Sequence, residues 1–124
     1  MNAQYKNFGD FLQKKREEKQ ITLRKMAEML GISAPFLSDI EKDHRNPPEM
    51  AKLEAISRIL ALSDEDKSLM LNLAGEARNS VAPDLPGYIM GRDYVAAALR
   101  TARDLDAGEA EWMEFVEELK RRKG

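Results

Sequence analysis

The stretch "SAPFLSDIEKDHRNPP", residues 33–48, decides how the chain is read. Ser33 is a helix N-cap and Pro35 falls in the first turn, where a missing N–H costs nothing. The helix then hides little. Leu37 and Ile40 form a narrow apolar stripe, flanked by Ser38, Asp39, Lys42, His44 and Arg45. It ends in a basic turn stiffened by Pro47 and Pro48. Such a helix packs by its back and keeps a small polar face free.

What precedes it explains the free face. In "TLRKMAEMLG", residues 22–31, Thr22 caps a helix whose Leu23, Met26, Ala27 and Leu30 share one side. Gly31 stops it by supplying left-handed backbone that side chains with a Cβ resist. Ser33 restarts a helix after only two residues. Ala27 is small enough for the two helices to cross closely, and Ile32, Leu37 and Ile40 bury the back of the second one. Helix, tight glycine turn, helix is the anatomy of a DNA-binding helix-turn-helix, a support helix followed by a recognition helix.

The flanks are also helical. Phe8, Phe11 and Leu12 recur at helical spacing between Phe8 and Lys19, with Asn7 as a cap. After the prolines, Met50, Leu53, Ile56, Ile59 and Leu60 mark another helix. Ser63, followed by Asp64, Glu65 and Asp66, starts a fifth, since anionic residues in a first turn complement the helix dipole. It continues through Leu69, Met70, Leu73 and Ala74 to about Asn79. The chain shows no strand pattern and no internal repeat.

"VAPDLPGYIMG", residues 81–91, holds two prolines and two glycines and reads as a hinge. The division expected is a DNA-binding domain over 1–80, a linker over 81–91 and a C-terminal helical unit over 92–124. In that unit Tyr94, Val95, Ala98, Leu99 and Ala102 share one face of a first helix. Trp112, Phe115, Val116 and Leu119 form the stripe of a second. Two helices cannot bury both stripes alone, so they need the preceding helix, a second copy of the chain or another partner.

Composition bounds the rest. The 124 residues are 43% hydrophobic and 34% charged, with a net charge of −2 and no cysteine. That describes a globular chain without disulfides or thiolate metal sites, compatible with a reducing compartment. There is no run of about 18 apolar residues to span a bilayer. "MNAQYKNFGDF" lacks an apolar signal region, so a cytoplasmic location is expected. Charge is unevenly placed. Residues 1–25 carry seven Lys/Arg (Lys6, Lys14, Lys15, Arg16, Lys19, Arg24, Lys25) against three acids, whereas residues 63–124 carry nine basic and thirteen acidic residues. A basic front joined to an acidic back suits a chain whose front meets a polyanion, although two solvated helical surfaces would give the same count.

"LRKMAEMLGISAPFLSDIEKDHRNP", with its Ser-x-x-aromatic-aliphatic-Ser-x-aliphatic-Glu run from Ser33 to Glu41, resembles the Xre family of lambda Cro-like helix-turn-helix repressors. The resemblance covers Phe8 to about Leu62. It implies an all-α, five-helix Cro-like domain that binds, as a homodimer, a double-stranded DNA operator with two-fold symmetry. It further implies Thr22, with Arg24 and Lys25, near phosphate, and Ala34, Pro35, Ser38 and Asp39 facing the major groove. Phe36 would be partly packed, against a thymine methyl, while Lys42, His44 and Arg45 would hold phosphates beyond the helix. Arg16 and Glu41 would pair between the first and third helices. Two positions depart from the pattern: Leu23 stands where the family often has Gln, and Asp43 where it favours Gly. Asp tolerates left-handed backbone.

The C-terminal segment, with its Leu-Pro lead-in, Val95/Leu99 helix and Trp112–Phe115–Leu119 helix, resembles the dimerisation domain of damage-response repressors cleaved by a partner zinc metallopeptidase. That implies a dimer interface of Tyr94, Val95, Leu99, Trp112, Phe115, Val116 and Leu119, with a scissile region between Leu99 and Asp106. Two other functions fit the same residues. One is the antitoxin of a toxin–antitoxin pair, with the C-terminal helices contacting the toxin. The other is a protein-interaction module without specific DNA binding, suggested by the small, acid-bearing recognition face. No enzyme is expected: there is one histidine, no cysteine, no His pair and no glycine-rich phosphate loop. No cofactor or metal is expected either. "KRRKG" reads as a helix end favourable to the dipole.

Overall fold

The computed structural model describes residues 4–124; residues 1–3, the start of the segment read for a leader, lie outside it. All regular structure among the described residues is helical. The helices are α1 (Phe8–Glu18), α2 (Leu23–Leu30), α3 (Ala34–Glu41), α4 (Met50–Ile59), α5 (Asp64–Ala77), α6 (Leu85–Ile89), α7 (Asp93–Asp104) and α8 (Glu109–Lys123). Two compact units result, one up to Pro86 and one from Gly87 to Gly124.

In the first unit the local signals set the helix ends. Asn7, Thr22, Ser33 and Ser63 each accept a backbone N–H with the side chain, from Asp10, Lys25, Phe36 and Asp66 respectively. Gly31 closes α2 in the left-handed region at φ 72°. Asp43 does the same after α3 at φ 63°, where short polar side chains are tolerated. α1 packs on α3 and α5, and α2 on α3 and α4.

The stripes meet in one core. Phe8, Phe11 and Leu12 of α1 pack with Met26 and Ala27 of α2, Leu37 and Ile40 of α3, Leu53 and Ile56 of α4, and Met70 and Leu73 of α5. Gly9 lets α1 approach closely, because a Cβ there would fall on the carbonyls of Ile40 and Glu41. Ties between α1 and its neighbours are also ionic. Lys15 Nζ lies 3.0 Å from Asp66 Oδ2. Partial burial is the largest single influence on Lys15 and works against its charge, but the bond to Asp66 and the charges of Asp66, Tyr5 and Glu18 together outweigh it and raise the pKa.

The proline- and glycine-rich segment differs from a plain hinge. Ala82 is buried in the core of the first unit, and residues 85–89 form a short helix. Pro86 sits in the first turn of that helix, where its lost N–H has no intrahelical partner to lose. The Leu85 N–H meets the Ala82 carbonyl at 3.1 Å.

In the second unit α7 closes through the Ala107 N–H to the Ala102 carbonyl at 2.8 Å. The Glu111 carboxylate accepts the Gly108 N–H at the start of α8. Glu109 and Glu111 lie in the first turn of α8 and Lys120 to Lys123 in its last, complementing the helix dipole at both ends. Trp112 and Phe115 meet edge to face with ring centroids 6.2 Å apart. No residue of α7 or α8 is buried. No helix among the described residues is long and apolar enough to cross a membrane.

Candidate nucleic-acid interface

α3 is held by its back. Leu37 and Ile40 are essentially inaccessible, while Pro35 and Phe36 are exposed and Ala34, Ser38 and Asp39 half-buried. Ser33 Oγ accepts the Phe36 N–H at 3.1 Å and caps the helix start. The free face is therefore short, small and mostly neutral, with Asp39 as its single acid. A major groove about 12 Å wide admits a helix with such a face.

Beneath it a buried ion pair fixes α3 against α1. Arg16 Nε and Nη2 donate to the Glu41 carboxylate at 2.7 and 3.0 Å, and Nη1 donates to the Ile21 carbonyl at 2.9 Å. Both side chains are buried. The forked geometry specifies the angle between the helices as well as binding them. The bond to Glu41 raises the Arg16 pKa, with burial opposing it, so the charge persists at any working pH. Arg16 is thus spent on structure, as the sequence resemblance implies.

At the start of α2, Thr22 Oγ1 accepts the Lys25 N–H at 3.1 Å, which leaves the hydroxyl hydrogen free to donate outward. Arg24 and Lys25 are exposed beside it, with Lys25 Nζ 3.2 Å from Glu28. Among the lysines of α1, Lys14 pairs with Asp10 at 3.1 Å and Lys15 with Asp66, so their charges are partly answered within the fold.

The loop after α3 carries the other cations. Lys42, His44 and Arg45 are all exposed. The His44 N–H returns to the Asp39 carbonyl at 2.8 Å. Arg45 does not trail into solvent: its guanidinium carbon lies 4.3 Å from the centroid of the Phe36 ring, a cation–π contact between loop and helix. Pro47 is buried, and its carbonyl accepts Arg78 Nη2 at 2.6 Å. Lys52 Nζ reaches the Leu30 carbonyl at 3.3 Å, at the end of α2.

Thr22, the exposed face of α3 and the loop cations thus belong to one helix-turn-helix framework. Sequence reasoning did not find the Phe36–Arg45 contact or the Arg78–Pro47 bond. The first could have been suspected from an exposed aromatic near a basic turn; the second joins residues too far apart for any local pattern. Tyr94, Val95, Leu99, Trp112, Phe115, Val116 and Leu119 lie in the second unit. All but Val95 and Val116, which are half-buried, are exposed. No group of three or more His, Cys, Asp or Glu side chains among the described residues could hold a metal ion.

Residues 12–66 match the model of the family described as "Helix-turn-helix". Over 57 residues the chain is 35% identical to a Mycobacterium tuberculosis protein named "Uncharacterized HTH-type transcriptional regulator", MT0491 in strain CDC 1551 and Rv0474 in strain H37Rv. The matched region is 46% of this chain and 40% of those relatives, so the chain spans about two-fifths of their length. A solved structure titled "SinR protein/SinI protein complex" superposes with a TM-score of 0.47 and 23% identity, over 94% of this chain and 97% of that one.

Proposed function

We propose, from the match of residues 12–66 to the helix-turn-helix family, that this protein is a cytoplasmic transcriptional repressor that binds a two-fold symmetric DNA operator as a homodimer. The observation that carries the DNA reading is the split of α3: Leu37 and Ile40 wholly buried, and Pro35, Phe36 and Ser38 accessible on the side that also presents Arg45. Ala34, Pro35, Phe36, Ser38 and Asp39 read base edges. Thr22, Arg24, Lys25, Lys42, His44 and Arg45 grip phosphates. Two copies reach half-sites about 34 Å apart on one side of the duplex.

Dimerisation is assigned to the second unit through Tyr94, Val95, Leu99, Trp112, Phe115, Val116 and Leu119. The support is that its two main helices bury no residue by themselves. Helices of 12 and 15 residues are marginal alone in water and gain their order from packing. A partner peptidase is a further part of this reading: Leu105, within the 99–106 region, is 77% exposed and lies at the end of α7. The same unburied helices favour a second reading, in which the partner is a toxin and the chain its antitoxin.

Sedimentation of the purified chain, followed by titration of a labelled duplex across a salt series, tests the proposal. The expected result is a compact dimer whose DNA affinity falls steeply with salt. A monomer with unfolded C-terminal helices would favour the antitoxin, and salt-independent or absent DNA binding would remove the repressor.

A further inference from the structure

We propose that Arg78 is a positioning residue for DNA binding: from the end of α5 it holds the loop carrying His44, Arg45 and Asn46 in its phosphate-gripping shape. This rests on the repressor reading of that loop. The loop has two pinned ends. At the first, Asp43 is left-handed and the His44 N–H is bonded to the Asp39 carbonyl. At the second, two successive prolines leave Pro47 and Pro48 without N–H donors, so a tie made through their backbone must use carbonyls. Arg78 supplies that tie with its 2.6 Å bond to the Pro47 carbonyl. A charged donor makes it about twice as strong as a neutral bond. Between the pins Arg45 is exposed and rests on Phe36, so a shift of Pro47 would move it relative to α3.

The reach of Arg78 is itself fixed. Its N–H and that of Ser80 both return to the Gly75 carbonyl, at 3.0 and 2.8 Å. The backbone of Val81 and Ala82 then lies directly on Gly75: a Cβ there would stand 2.5 Å from the Val81 oxygen and 2.8 Å from the Ala82 nitrogen. Ala82 is buried. Residues 78–82 are thus a strap laid along α5, and the strap aims Arg78 at the loop. Arg45, Lys52 and Arg78 border one groove with Phe36 and Pro47. Arg78 is itself exposed, but its Nη2 is engaged by the Pro47 carbonyl, and it acts through the loop.

The test uses the full chain as Arg78→Ala, Arg45→Ala and the double variant, with Gly75→Ala as a second way to disturb the strap. Amide hydrogen exchange of the free protein is read first. Arg78→Ala should speed exchange at the His44 amide, the hydrogen-bonded N–H of this loop, by about tenfold while leaving α1 to α5 unchanged. Binding to a fluorescein-labelled mixed-sequence duplex at low salt should weaken by about tenfold, the worth of one charge-assisted bond. That loss should nearly vanish in the Arg45→Ala background, and Gly75→Ala should give a smaller version of it. Unchanged exchange at the His44 amide would overturn the proposal. So would faster exchange throughout the core, which marks a general structural role. An additive loss with a salt slope lowered by about 1 would instead make Arg78 a direct phosphate ligand. If the unaltered chain failed to bind the duplex, the repressor reading would fall, and the exchange data would still report whether the clamp exists.

Discussion

The unit up to Pro86 and the unit from Gly87 onward carry the same kind of sequence signal and put it to opposite use. In both, large apolar side chains recur every three or four residues. In α1 to α5 those stripes face one another, and Phe11, Leu37 and Ile56 are wholly removed from water. In α8 the equivalent stripe stays open, with Trp112 38%, Phe115 54% and Leu119 41% exposed. The first unit also contains a buried ion pair, Arg16 with Glu41. The ion pairs of the second, such as Lys120 with Glu117, lie on the surface, where they add little. An amphipathic helix therefore announces that it has a partner without saying whether that partner is in the same chain.

The comparison can be broken most forcefully at the buried pair. Arg16→Ala leaves the Glu41 carboxylate buried without its partner, and a loss of roughly 3–5 kcal/mol is expected in denaturant unfolding of the first unit. A loss below about 1 kcal/mol would mean that water reaches Glu41 and that the pair does not fix α1 on α3. Phe115→Ala should act in the other currency. Self-association measured by sedimentation should weaken by about 2 kcal/mol, roughly thirtyfold in Kd, as for the central aromatic of an interface. The unfolding midpoint of α1 to α5 should stay where it is. A shifted midpoint with unchanged association would assign Phe115 to intrachain packing.

Arg45→Ala sharpens the account of the DNA face. Affinity should drop for all duplex sequences alike, with the salt slope reduced by about 1, because a phosphate contact carries no sequence information. Ser38→Ala should instead alter base preference and leave the slope unchanged. The smallest effect concerns Asp10. The Lys6 backbone N–H, 3.0 Å from Asp10 Oδ2, lowers its pKa from 3.8; partial burial opposes this and Lys14 assists it. A carboxyl with a depressed folded pKa stabilises above its unfolded value, and the contribution is lost as pH falls through the folded one. Asp10→Asn should thus be slightly less stable than the unaltered chain at pH 7. The two melting curves should converge in acid below pH 3.8. A gap that persists there would assign the effect to something other than ionisation.

Much of the first unit is legible in the sequence because its boundaries are set by local chemistry. Asn7, Thr22, Ser33 and Ser63 cap the helices whose starts they mark, and Gly31 and Asp43 take the left-handed backbone their residue types allow. The Arg16–Glu41 pair is reached through family resemblance rather than spacing. The remaining features depend on long-range geometry. Arg78 and Pro47 are 31 residues apart. Gly75 sits in a helix and gives no sign that a strap must pass over it. Residues 81–91 have the composition of a break, yet Ala82 docks in the core and α6 forms around Pro86. Proline and glycine mark where a helix can start as readily as where one stops. For Trp112 and its neighbours, periodicity identifies the stripe and cannot name what covers it.

The account stands or falls on whether α3 reads DNA in two copies. Selection from a random duplex library with the full chain, at low and at moderate salt, measures this directly. An enriched inverted repeat, with half-site centres about one helical turn apart, is the predicted result. Retention of duplexes without enrichment, vanishing as salt rises, would contradict it and leave a charged surface without sequence-specific function.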